Sequence, residues 1–110
     1  MKIHFYQTAN GRKIVEDFIQ ALPNKDRGKV LAIFKSIELY GFQALQLQFR
    51  QIESKLWEIK IRASDGSYRF FYVALSREEI VIVHAYKKQS QKAPTREIET
   101  AKKRIKEVLE

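Results

Sequence analysis

Glu58, Lys60 and Arg62 stand two residues apart in a stretch whose intervening positions, Trp57, Ile59 and Ile61, are apolar. A β-strand turns alternate side chains to opposite faces, so this spacing puts one carboxylate and two cations on the same side of one strand. Arg69 follows just past the turn signal Asp65-Gly66, near enough on a neighbouring strand to join them. Lys87 and Lys88 leave the end of a later apolar run. Cations gathered on one surface repel one another and become useful when an anion sits among them; a phosphate backbone is the commonest such anion. A charged sheet face is equally well read as simply solvated, with Glu58 and Lys60 a weak surface pair. The pattern alone leaves both readings open.

Other chemistries find less support. There is no cysteine, which removes disulfides, thiolate metal sites and cysteine nucleophiles together. His4 and His84 are the only histidines, and neither has a second ligand at metal-site spacing, so no metal or cofactor is expected. The four glycines are scattered and form no phosphate-cradling loop, and no Ser-His-Asp signature is present locally. His84 reads first as a packed strand-end histidine. Tyr86 reads as a core-margin residue whose ring and hydroxyl are also able to contact a nucleotide.

The elements that must position these groups follow from period and punctuation. Ile3 and Phe5 alternate with Lys2, His4 and Tyr6 as a short first strand, broken by Asn10-Gly11. Ile14, Val15, Phe18, Ile19 and Leu22 recur at helical spacing, and Pro23 closes that helix. A second helix is expected with Asn24 as its cap, Asp26 complementing the dipole, Val30, Phe34, Ile37 and Tyr40 as its apolar stripe, and Gly41 as its terminator. From residue 49 the period becomes two. The strand at 57–62, the aromatic run Tyr68–Leu75 and the β-branched run Ile80–Tyr86 predict an antiparallel meander. Thr95 is expected to cap a last helix with the stripe Ile98, Ala101, Ile105 and Val108. The order is β, α, α, three or four β, α. It predicts a single α+β domain over residues 1–110, an antiparallel sheet with N-terminal helices and a C-terminal helix packed on one side.

Lysine and arginine number 21 against 13 acids, a net charge of +8. From His84 to Glu110 there are eight basic residues and four acidic, so half of that excess lies in the last quarter. Such a balance favours nucleic acid, acidic protein or anionic lipid as partner. No apolar run approaches the ~20 residues of a membrane span, and the N-terminus alternates rather than forming a signal-peptide block. A cytoplasmic protein without a membrane partner is expected.

The run Leu56–Arg62, then Gly66–Tyr72, resembles the central hairpin of RelE-superfamily toxins. His84–Pro94 followed by Glu97–Ala101 resembles the phage-derived HigB-like branch, and the likeness in order and spacing spans nearly the whole chain. The resemblance implies a RelE-like fold and the toxin of a type II toxin–antitoxin pair, which enters the ribosomal A site and cleaves mRNA there. It implies a catalytic group of Glu58, Lys60, Arg69 and Lys88, with Arg69 on the scissile phosphate through a bidentate guanidinium and Lys60 and Lys88 sharing charge stabilisation. Arg62, Tyr86, Lys87 and Lys92 are implied as contacts to mRNA or ribosomal RNA, and a helix-turn-helix antitoxin as the cognate partner. The chain departs from RelE itself in carrying Glu58 where that protein has lysine, and in lacking a clear counterpart to its late tyrosine. Glu58 is then either a general base or a structural partner of Lys60, with Tyr86 or His84 as proton donor. Two other readings share the fold or the charge: a ParE-like toxin that poisons DNA gyrase, and a non-catalytic RNA-binding module.

Overall fold

The alternation at residues 57–62 belongs to a sheet in which four consecutive strands pair as antiparallel neighbours. The computed structural model describes residues 1–44 and 48–110, without the side chain of Gln48. In chain order the elements are β1 (Lys2–Phe5), α1 (Ile14–Gln20), α2 (Asn24–Tyr40), β2 (Gln48–Glu53), β3 (Leu56–Arg62), β4 (Ser67–Ser76), β5 (Glu79–Lys87) and α3 (Thr95–Leu109). The sheet runs β1-β5-β4-β3-β2. Strands β3 to β5 form the expected antiparallel meander, β2 extends it as a fourth antiparallel strand, and β1 adds to the other edge parallel to β5. A parallel neighbour needs a long return path, which the intervening helices and hairpins supply.

Sheet parity separates two cores. Ile59, Ile61, Tyr68, Phe70, Tyr72, Ile80 and Ile82 turn toward α1 and α2, meeting Val15, Ile19, Val30, Phe34 and Ile37. Phe34 lies edge-on to Phe5 at 5.7 Å and to Phe70 at 5.0 Å, contacts worth about 0.5–1.5 kcal/mol each beyond the buried area. The opposite parity, Leu56, Phe71, Val73, Val81 and Val83, meets Ala101 and Ile105 of α3, with Ile98 and Val108 at the margin. The helices therefore cover both faces, where the sequence suggested one. The unbroken burial of Tyr68–Val73 is the signature, since a strand packed on both sides has no polar alternation left to show.

Three smaller expectations shift. Tyr40 is 65% exposed and leaves the α2 stripe at Ile37, because Gly41 turns the chain there at φ 62°. Phe42 instead reaches the aromatic margin, 5.4 Å from Phe49 and 6.1 Å from Tyr72. Asn24 and Thr95 are the first helical residues rather than caps. Pro23 and Pro94 occupy the cap positions, their fixed φ of −53° and −61° setting the entry one residue earlier.

Helix α3 packs over Phe71, Val73, Val81 and Val83. No helix among the described residues lies over the same face at Lys60, Arg62 and Lys88, and these side chains reach solvent. Among the described residues no helix is long and apolar enough to cross a membrane.

Candidate functional site

Strand register assembles the basic group. Lys60 of β3 lies opposite Arg69 of β4, and Arg69 opposite Tyr86 of β5, so the three form one row across the sheet. Arg62 sits two residues along from Lys60, opposite Ser67. Just beyond β5, the Lys88 amide donates to the Ser67 carbonyl at 2.8 Å, which brings its side chain over the same face. Lys60, within hydrogen-bonding reach, holds the Lys88 ammonium below the usual lysine range; burial and the charges of Lys60, Arg69 and Arg62 act in the same direction. Among the described residues no carboxylate forms an ion pair with Lys60, Arg62 or Lys88. The Lys88 ammonium donates to the Gln91 side-chain oxygen at 3.3 Å.

Arg69 is joined to this row but lies beneath it, 2% exposed with Glu58 equally buried. Its Nη1 donates to the Tyr86 hydroxyl at 3.1 Å, and its Nη2 donates to the backbone carbonyl of Gln91. Its Nε faces Glu58 Oε2 at 3.3 Å. That distance makes an ion pair, yet the angle is not that of a hydrogen bond, so both atoms lack a hydrogen-bond partner. In this conformation each Nη already makes one bond within the protein, and the guanidinium on which the resemblance places the phosphate is buried. Glu58 likewise does not pair with Lys60. Its other oxygen meets Arg50 Nη2 at 3.4 Å, which leaves the carboxylate between two guanidinium groups. Burial pushes the Tyr86 hydroxyl above the usual tyrosine range, while the bond from Arg69 and that residue's charge oppose it.

Arg50 is the residue that sequence reasoning missed. It lies on β2 opposite Glu58, and the only signal for it is that cross-strand partnership, legible once β2 and its register are known.

The remaining expected residues lie apart from the row. Lys87 pairs with Tyr68 and so projects from the opposite face, where its stem lies across Gly66; a Cβ there would approach Lys87 Cε to 2.6 Å. Lys92 is exposed and borders a separate cleft with Arg50, Ile52, Ala93 and Ile98. His84 accepts at Nδ1 from Arg104 at 3.1 Å, so its proton sits on Nε2 and is donated to Glu97 at 2.7 Å. Burial holds this imidazole below the usual histidine range against the pull of Glu97. Arg104 also donates to the Val83 carbonyl at 2.9 Å, which makes His84 part of the seam between α3 and the sheet. His4 pairs with Glu79 at 2.6 Å on the distant β1 edge.

Among the described residues no three His, Asp or Glu side chains converge as a metal site would require. What the face can do is bind a polyanion and stabilise charge developing on a phosphorus centre, using three cations that no carboxylate neutralises among the described residues. No curated protein matches the chain. The model of the family described as Phage derived protein Gp49-like (DUF891) matches residues 17–106, a span containing every residue of this face.

Proposed function

Because the chain belongs to the phage-derived Gp49-like family, which is associated with RelE/HigB-like toxins, we propose that it is the toxin of a type II toxin–antitoxin pair and acts as a ribosome-dependent mRNA endoribonuclease. The observation that carries this reading is the group Lys60, Arg62 and Lys88, gathered beside α3 on the sheet with, among the described residues, no carboxylate paired to them.

The reaction suited to such a group is intramolecular. The ribose 2′-oxygen attacks the adjacent phosphorus, the P–O2′ bond forms and the P–O5′ bond breaks. The products are a 2′,3′-cyclic phosphate and a 5′-hydroxyl. The 2′-hydroxyl must lose a proton and the departing 5′-oxygen must gain one. Lys88, made more willing to release its proton by Lys60, is suited to the acceptor role in its neutral form. Lys60 and Arg62 then stabilise the charge on the phosphorane-like oxygens. Glu58 is poorly suited to being the base, since it is buried and faces two arginines. The cognate partner in this reading is a helix-turn-helix antitoxin, small and acidic enough at its contact to cover the cations.

The test is cleavage of message on translating ribosomes by the purified protein, with product ends mapped. A 2′,3′-cyclic phosphate end that disappears with Lys60→Ala or Lys88→Ala supports the reading. Intact message with correctly folded protein refutes it.

A further inference from the structure

The segment from Lys88 to Pro94 joins β5 to α3 and crosses the open face as a strap. It is fastened at two points. The Lys88 amide bonds to β4 at Ser67, and in the middle the Gln91 carbonyl accepts from Arg69. On either side of Gln91 the surface opens into a cleft, one bordered by Ser67, Lys88 and Ser90, the other by Arg50, Lys92 and Ile98. The guanidinium beneath is fully buried and divides its three nitrogens among Glu58, Tyr86 and Gln91. Lysine, with one flexible point of charge, has no means of spanning these three partners at once; the planar fork of arginine does.

We infer that Arg69 is a positioning residue: it holds the strap through the Gln91 carbonyl and thereby places Lys88, and it does not itself contact the phosphate. Glu58 and Tyr86 orient the guanidinium for that purpose. The strap-holding role is independent of whether the protein cleaves RNA; its consequence for Lys88 rests on the RNA reading.

Two measurements test it. Amide hydrogen exchange reads the strap directly. Arg69→Lys should raise exchange at the Lys88 amide, which the bond to Ser67 protects, by about tenfold or more while α1 and α2 keep their protection, and the milder Tyr86→Phe should give a smaller rise at the same amide. Unchanged exchange in the strap of a folded Arg69→Lys variant overturns the inference. The second measurement is a double-mutant cycle on binding of a single-stranded RNA whose 2′-hydroxyls are methylated, so that cleavage plays no part. Arg69→Lys should weaken binding in the native background and add little, within about twofold, once Lys88→Ala is present. If the Arg69 loss persists undiminished without Lys88, arginine grips the RNA itself and the inference fails. Absence of any RNA affinity in the unaltered protein would count against the proposed function, and strap exchange would still decide the role of Arg69.

Discussion

The sheet buries one acid on each face, and the two acids are treated differently. On the α2 face Asp26 is fully enclosed, and both oxygens are served: the Tyr68 hydroxyl donates to one at 2.5 Å, and the Asp65 amide lies 3.2 Å from each. On the α3 face Glu58 lies between Arg50 and Arg69 at 3.4 and 3.3 Å, and its inner oxygen receives no hydrogen bond. A saturated carboxylate locks a turn, here the β3–β4 hairpin against the start of α2. A carboxylate held by charge without hydrogen-bond geometry is a poorer lock, and it stands beneath the face that carries the cations. Asp26 thus serves the fold, while Glu58 lies beneath the proposed site.

The largest effect expected from breaking this contrast is at Arg69. Arg69→Ala leaves Glu58 buried with only the partly exposed Arg50 beside it, and removal of one member of a buried pair costs roughly 3–5 kcal/mol. A drop in thermal midpoint of more than about 12 °C should result. Replacing both members with apolar residues, Glu58→Leu with Arg69→Met, should recover most of that loss in a melting experiment, since isosteric burial without charge is often neutral. Failure to recover would mean that the bonds to Tyr86 and Gln91 matter more to stability than the ion pair.

Next in size is the chemical effect at the exposed end of the row. Lys60→Ala and Lys88→Ala should each lower the rate of cleavage of ribosome-bound message by about 100-fold or more, the scale of losing one charge-stabilising donor at Lys60 and a positioned proton acceptor at Lys88. Both should melt within about 0.5 kcal/mol of the parent, because neither side chain is buried. The buried and exposed members of the row thus differ in kind: Arg69 is expected to report in stability first and Lys60 in turnover alone. In parallel, a supercoiling assay with DNA gyrase should show no inhibition. Inhibition without RNA cleavage would exchange the nuclease for a gyrase poison.

The opposite acid should reveal itself through pH. The Tyr68 hydroxyl holds the Asp26 carboxyl below the usual 3.8, with the Asp65 and Ser64 amides and the charge of Lys87 assisting and burial opposing. A carboxyl depressed in the folded state contributes stability that is complete above its unfolded value and is lost as pH falls through the folded one. The melting temperature should therefore fall from about pH 4 downward, and Asp26→Asn should flatten that limb. Burial and the bond to Asp26 push Tyr68 up to about 12, so its contribution is present below pH 10 and lost between there and about 12. Asp26→Asn should soften that alkaline limb as well. An acid limb unchanged in Asp26→Asn would place the acid sensitivity elsewhere.

Parity explains what the sequence disclosed about this contrast. The alternation of Trp57, Ile59 and Ile61 with Glu58, Lys60 and Arg62 survives intact in β3, and the turn at Asp65-Gly66 puts Arg69 on the neighbouring strand, where the register sets it opposite Lys60. What stayed hidden depends on partners far away in sequence. Asp26 looks like a dipole-complementing residue until Tyr68, 42 positions on, is folded against it. One of the partners of buried Arg69 is a main-chain carbonyl, which carries no sequence signature. The second face of the sheet was illegible for a related reason: strands apolar on both sides look like a buried run from either direction.

Lys87 and Lys88 supply the smallest and cleanest discrimination. Adjacent in sequence and identical in type, they differ by one step of the strand period, so Lys87 follows Tyr68 to the Asp26 face while Lys88 joins Lys60. Charge count alone predicts equal effects. The fold predicts that Arg62→Ala, on the Lys88 side, lowers the dependence of log affinity on log salt by about one unit. Lys87→Ala should leave that slope unaltered and change affinity for single-stranded RNA by less than about twofold, the residue acting only through long-range screened charge. Salt titrations of both variants read the difference directly. Equal slopes would mean that RNA wraps the end of the hairpin and touches both faces, and the division between a folding face and a working face would have to be abandoned.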